Sequence, residues 1–286
     1  MSRFARLAHL HALVLAAAAA APVPSSAGPI PVDLELALVI DVSGSVSPPE
    51  FALQRDGYVK AFESPAIQQQ IADLGPSGGI AVSVFLFGTR AEQKIGWSQL
   101  TTAANAAQFA SLVKALAYED LGSTNIAGAI GAASAAIGLE SNLIQYFVGR
   151  RAAIDVSGDG KQNTDRDGGV AGCNGALVDR AACLTVIDAA RDAAAKAGIA
   201  INGLPITDDV PDLLGYYQAH VITSGGFALP ARFENFEPAV QAKVLREVAR
   251  VSEPGSLALA AFALAALAAF APSRRARRAP GAALRR

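Results

Sequence analysis

Histidine is almost missing from this chain. Three occur in 286 residues, and His9 and His11 lie in an N-terminal apolar stretch, so His220 stands alone in the body of the protein. That scarcity excludes a His-rich zinc site. A Ser-His-Asp triad would have to use His220, around which no partner motif stands. Also lacking are a Gly-x-Ser-x-Gly elbow and a Walker loop. Cysteine is limited to Cys173 and Cys183. In an exported chain such a pair reads as one disulfide closing a short loop, with two reduced thiols as the alternative. There is no long apolar run either. The longest near the C-terminus, 257–271, reaches about 22 Å as a helix, short of the ~30 Å hydrocarbon core of a membrane.

What is present at the two ends reads as addressing. Arg3 and Arg6 precede the apolar run 10–21, and Ser25 and Ala27 stand in the −3/−1 arrangement of a cleavage site, so 1–27 is expected to be a secretory signal peptide. Residues 252–286 open with Ser252-Glu253-Pro254-Gly255-Ser256, continue through the apolar run and close on Arg274, Arg275, Arg277 and Arg278. This layout resembles the Pro-Glu-Pro sorting signal handled by exosortases in Gram-negative bacteria, with Ser252 in place of the first Pro. The resemblance implies Glu253, Pro254 and Gly255 as the sorting motif and an exosortase-like peptidase as a partner. It also implies a membrane contact through the C-terminal segment before processing, and an exported protein of the envelope, cell surface or extracellular matrix. A retained membrane anchor is the alternative.

The segment 28–251 carries 16 Lys+Arg against 24 Asp+Glu, a net charge of 16 − 24 = −8, where the whole chain shows −1. Its length suffices for one domain with a sizeable core. An acidic domain lacks the positive footprint that nucleic acid requires, which argues against nucleic acid as a partner, so none is expected.

Along this domain apolar strands alternate with helical segments. Strands are expected at 34–42, 80–87, 152–157 and 199–204, with a short hairpin strand at 94–97 on the sheet edge and another strand near 219–223. Ser47-Pro-Pro-Glu50 has the form of a capping box opening a helix that carries Phe51, Tyr58 and Phe62. Further helices are expected at 66–74, 103–117, 126–139, 181–197 with Gly198 as its stop, near 210–217, and at 237–251 with Val240, Val244 and Val248 on one stripe. This alternation predicts an α/β fold: a Rossmann-like three-layer sandwich with a mostly parallel central sheet, helices on both faces and one antiparallel edge strand.

In an open α/β sheet, ligands bind beyond the carboxyl ends of the strands. Three polar clusters fall at such positions: Asp41-x-Ser43-x-Ser45 after the first strand, Gly122-Ser123-Thr124-Asn125 before a helix, and Ser157-Gly158-Asp159-Gly160 after a later strand. Asp41, Ser43, Ser45, Thr124 and Asp159 are all oxygen donors, a set suited to a hard divalent cation that keeps several waters. The order and context of these clusters resemble the metal-ion-dependent adhesion site (MIDAS) of von Willebrand factor type A domains. All five of that family's positions are matched, and the Asp155-to-Gly160 stretch is similar to a secreted bacterial subfamily of undefined role. The resemblance implies Mg²⁺ or Mn²⁺ as cofactor and an acidic group on a protein or surface polymer as ligand.

Other residues carry less. Asp155, inside an apolar strand, is expected to be a buried carboxylate satisfied by hydrogen bonds or by Arg150 or Arg151. Asn163-Thr-Asp165-Arg-Asp167-Gly168 imitates half a calcium loop, but position 12 falls on Asn174, so a solvated turn is expected. Trp97 reads as packing, and Tyr216-Tyr217 as half-buried helix aromatics rather than a partner surface. Three functions fit the chain: a metal-dependent binding module, a structural envelope or matrix protein whose metal only rigidifies a loop, and a metal-dependent hydrolase. The last is disfavoured because Ser43 stands where an aspartyl-nucleophile phosphatase needs a second Asp.

Overall fold

A computed structural model describes residues 28–119, 122–137, 146–164, 173 and 181–249. The expected signal peptide, the sorting motif Glu253-Pro254-Gly255 and the calcium-loop imitation from 165 onward lie outside the described residues.

Five strands form one sheet: β1 (Ile30–Asp41), β2 (Ile80–Phe87), β3 (Ala91–Leu100), β4 (Phe147–Gly158) and β5 (Ile199–Pro205). Their order is β3-β2-β1-β4-β5. All neighbours run parallel except β2 and β3, which form the antiparallel edge hairpin. The helices are α1 (Pro48–Glu63), α2 (Pro65–Leu74), α3 (Ala103–Lys114), α4 (Ile126–Ala136), α5 (Ala181–Lys196), α6 (Leu213–Tyr216) and α7 (Phe236–Ala249). None among the described residues is long and apolar enough to cross a membrane.

Successive β1 side chains point to opposite faces of the sheet. Leu34, Leu36, Leu38 and Ile40 face a core with α1, α2, α3 and α7, while Ala37 and Val39 face one with α4, α5 and α6. Both faces are covered, so β1 is apolar throughout rather than alternating. The predicted capping box is formed: Ser47 N donates to Glu50 Oε2 at 2.8 Å, and Glu50 N donates to Ser47 Oγ at 3.5 Å.

Three expectations need correction. Strand β4 is twelve residues long, not six, because its polar first half pairs with Ile30–Val32 and its arginines find partners at that end. Arg150 pairs with Asp33 at 3.0 Å, and Arg151 Nη2 donates to the Glu247 carbonyl at 3.0 Å. The cation in contact with Asp155 is instead Lys243 of α7. The edge hairpin strand is ten residues rather than four. Finally, 219–223 is not a strand. Tyr217–Val221 is a π-turn continuing α6, so Tyr217 and Val221 enter the core at helical spacing. The β-rich composition of that stretch misleads because β5 takes its outer partner slightly later, through Gly203↔Ala228 and Ile206↔Ala231.

Candidate metal centre

Strand order reverses where β1 lies between β2 and β4, and chain crossings there leave a crevice beyond the carboxyl ends. Asp41 closes β1, and Asp159 follows the last residue of β4. The parallel register aligns Ile40 with Ser157, which brings the two acidic turns side by side. Thr124 and the N-cap residue Asn125 lead into α4 at the same end.

All five predicted donors meet there. Ser43 N donates to Asp41 Oδ1 at 2.8 Å, the fold-back that an Asp two residues ahead favours. The Ser43 and Ser45 hydroxyls are 3.2 Å apart, Ser45 Oγ donates to Asp159 Oδ1 at 2.7 Å, and Thr124 Oγ1 donates to Ser43 Oγ at 3.1 Å. Asp41, Ser43, Thr124 and Asp159 are buried. Backbone bonds lock the loops: Gly44 N to the Gly122 carbonyl at 2.6 Å and Asn163 N to the Thr124 carbonyl at 3.0 Å.

Several supporting residues were not evident in the sequence. Gln54, buried on α1, donates to the Asp41 carbonyl at 3.2 Å. Asn163 accepts from Thr124 N at 2.8 Å. Gln162 reaches Ala127 N at 2.9 Å and Asn125 Oδ1 at 3.0 Å, tying the β4 loop to the start of α4. The Tyr216 hydroxyl accepts from Gln162 N at 3.2 Å, and the buried Tyr217 hydroxyl adjoins the Gly158 carbonyl. Gln54 had a readable signal: with Phe51 and Tyr58 it falls on the buried stripe of α1 at helical spacing. Trp97 packs as expected, its indole N–H on the Ala136 carbonyl at 3.1 Å. His220 contacts Asp188 at 3.0 Å, away from the site.

Burial pushes the Asp41 carboxyl up to about 7, and the Asp159 charge adds to the rise. Burial likewise raises Asp159, with Glu50 contributing, although the Ser45 hydrogen bond opposes it. Two carboxylates held this close are strained electrostatically until a cation or proton joins them. Asp41 Oδ2 has no hydrogen-bond partner among the described residues although it is buried. Backbone alone borders it on one side, since a Cβ on Gly158 would lie 2.6 Å from that oxygen. A Cβ on Gly160 would lie 3.0 Å from Thr124 Oγ1. A cleft of about 180 Å³ opens over the donors, lined by Ser45, Thr124 and Asp159 with Lys161, Asn163 and Asp209. Among the described residues no cluster of three or more His, Cys, Asp or Glu is placed for a metal. The donors here are hydroxyls and two carboxylates, and an orphaned buried carboxylate oxygen beside them fits a divalent cation.

A doubly wound sheet with a hydroxyl-rich acidic site at its switch point defines a von Willebrand factor A-like fold. Within that class, residues 31–252 match the family described as "Protein of unknown function (DUF1194)", and the chain belongs to this family. No curated protein matches it. The structure is similar to the PilB minor pilin from Streptococcus sanguinis, at 16% identity and a TM-score of 0.53 over 78% of this chain and 64% of that one. It is also similar to the pilus adhesin SpaC from Lactobacillus rhamnosus GG, at 14% identity and a TM-score of 0.50 over 77% and 30%. A proximal thread matrix protein from the mussel byssus, with a zinc-occupied MIDAS motif, aligns at 13% identity and a TM-score of 0.47 over 76% and 47%. This chain spans less than two thirds of the length of each, and at these identities the likeness is one of fold.

Proposed function

We propose that this protein is an exported binding module that holds a divalent cation, Mg²⁺ or Mn²⁺, through Asp41, Ser43, Ser45, Thr124 and Asp159. Its ligand is an acidic group on a protein or surface polymer. The observation that carries this reading is the buried, unpartnered Asp41 Oδ2 beside Asp159. When bound, the cation supplies a Lewis-acidic centre with a position left for an outside oxygen. Ser43 N fixes the Asp41 carboxylate, Gln54 anchors its backbone, and Asn163 sets the height of Thr124. Lys161 and Asp209 border the cleft through which a ligand would approach.

A binding role is favoured over a purely stabilising ion because the three loops are already bonded to each other by backbone and hydroxyl contacts. It is favoured over hydrolysis because the position two residues after Asp41 is Ser43, hydrogen-bonded to Thr124. Export is supported by the N-terminal leader pattern and by the Cys173–Cys183 disulfide, whose Cα atoms are 4.8 Å apart. The Glu253-Pro254-Gly255 segment is read as a sorting motif for an exosortase-like peptidase, and the destination as the envelope, surface or matrix of a Gram-negative bacterium.

The test is capture of partners from the organism's envelope and secreted fractions with Mg²⁺ or with EDTA, alongside calorimetry with Mg²⁺ and Mn²⁺. Metal uptake with EDTA-sensitive capture is expected, and Asp41→Ala should abolish both while the domain stays folded. Capture that persists in EDTA would sink the binding reading. Metal uptake with a stability gain but no metal-dependent capture would support the structural alternative.

A further inference from the structure

On the opposite side of β4 from the α4 face lies a second polar cluster that the metal centre does not use. Asp155 projects from β4 toward α7, where Lys243 and Glu247 stand four residues apart. Lys243 and Asp155 are fully buried, and Glu247 is 2% exposed. The Lys243 ammonium contacts Asp155 directly and donates to Glu247 Oε1 at 2.9 Å. Asn202 Nδ2 donates to the same Glu247 oxygen at 2.9 Å. Phe227 covers the amine, its ring centroid 6.0 Å from Nζ, and the Tyr58 phenol adjoins Asp155.

The inventory of charges does not balance. One buried cation faces two buried carboxyls, and neither Asp155 oxygen nor Glu247 Oε2 accepts a hydrogen bond of ordinary geometry. A buried ion pair is weak support for a fold, because desolvation offsets the attraction unless every lone pair is satisfied. Burial raises the Glu247 carboxyl to about 7, which makes its ionised form a stronger proton acceptor than an ordinary carboxylate. A primary amine in contact with a carboxyl, with a second carboxyl on the amine and aromatic cover, is the arrangement for direct condensation. Contact in a fixed orientation corresponds to effective concentrations of roughly 10⁵–10⁸ M for the best-placed pairs.

We propose that Lys243 and Asp155 are joined by an intramolecular isopeptide bond that the folded chain forms on itself, with Glu247 as the general base. Lys243 Nζ, having given one proton to Glu247, attacks Asp155 Cγ. The Nζ–Cγ bond forms, and the second proton leaves Nζ as the tetrahedral centre collapses. One Cγ–O bond breaks, and that oxygen departs as water carrying both protons, one of them returned by Glu247. The net change is ammonium plus carboxylate to amide plus water, with no oxidant, reductant or cofactor. Asp155 is the electrophile and Glu247 the base because Asn202 and Lys243 both hold Glu247 Oε1 in place. The product neutralises two buried charges and ties α7 covalently to the central sheet.

Peptide mapping of the purified wild-type protein decides the matter. After reduction, denaturation and trypsin, a branched species is expected in which 152–161 and 233–246 are joined with the loss of one water and no cleavage after Lys243. Glu247→Gln and Lys243→Met should each release the two peptides unlinked, with circular dichroism reporting the fold. Separate wild-type peptides with cleavage after Lys243 would overturn the proposal, as would a link from Lys243 to Glu247. A Glu247→Gln protein that still carries the Asp155 link would remove the base assigned here.

Discussion

Asp41 combines two properties that pull against each other in the metal-free chain. Burial and the neighbouring Asp159 favour its protonated form, raising it from an ordinary 3.8 to about 7. The folded state therefore holds a proton that the unfolded chain releases, and stability linked to Asp41 is full below about 4 and lost as pH rises toward about 7. In EDTA the melting temperature should be higher at pH 5 than at pH 8, and saturating Mg²⁺ should shrink that difference by replacing the proton. Metal affinity should follow the same titration with the opposite sense, weakening about tenfold for each unit below pH 7 because the ligand must be ionised. Asp41→Asn should abolish this dependence. It removes the charge that burial disfavours, so the metal-free variant should melt no lower than wild type at pH 8 while calorimetry detects no Mg²⁺ binding. A variant that binds Mg²⁺ as wild type does would remove Asp41 from the ligand set.

Elements matter through how closely their ends approach. The β1 and β4 termini sit so near that Gly158 leaves no room for a side chain: its Cβ would be 2.6 Å from Asp41 Oδ2. Gly158→Ala should therefore weaken Mg²⁺ binding by roughly 10–100-fold, the range for disturbing a ligand's immediate support. Gly96→Ala, whose Cβ meets nothing within 4 Å, should leave it unchanged, and titration calorimetry on the two proteins makes the comparison. The donors were legible because strand ends and helix starts are marked by local signals: an apolar run broken by Asp41, Asn125 capping α4, Gly158 and Gly160 at a turn. The capping box at Ser47 was legible for the same reason. What escaped was polar chemistry on buried faces. Gln54, Lys243 and Glu247 occupy core positions of α1 and α7 at the right period, but the partners that explain them come from other elements, Asp41 of β1, Asp155 of β4 and Asn202 of β5. Asp155 was read as buried, yet its cation is Lys243 and not an arginine of its own strand. The misread strand at 219–223 has a tertiary cause too, since Tyr217 and Val221 bury against the α5 face as a helical turn.

For the molecule as a whole, the disulfide separates fold stability from site geometry. Cys173 and Cys183 are 10 residues apart and both buried, and Cys183 lies in the first turn of α5. In the loop-closure account a bridge over so short a loop removes about 3 kcal/mol worth of freedom from the unfolded chain. For a domain of this size that corresponds to a fall of roughly 2–4 °C in melting temperature per kcal/mol when the bridge is lost. A Cys173→Ser/Cys183→Ser double variant should therefore melt roughly 6–12 °C below wild type. The candidate donors lie at the end of β1 and in the turn after it, just before α4 and just after β4, and their supports come from α1, α4, α6 and the turn after β4. None of those contacts involves Cys173 or Cys183. Mg²⁺ affinity should then survive the substitution within a factor of about two, provided binding is measured well below the melting range. A large loss of affinity in a variant that remains folded would mean that the bridge holds the turn after Asp159 in register, and that the acidic site depends on the segment leading into α5.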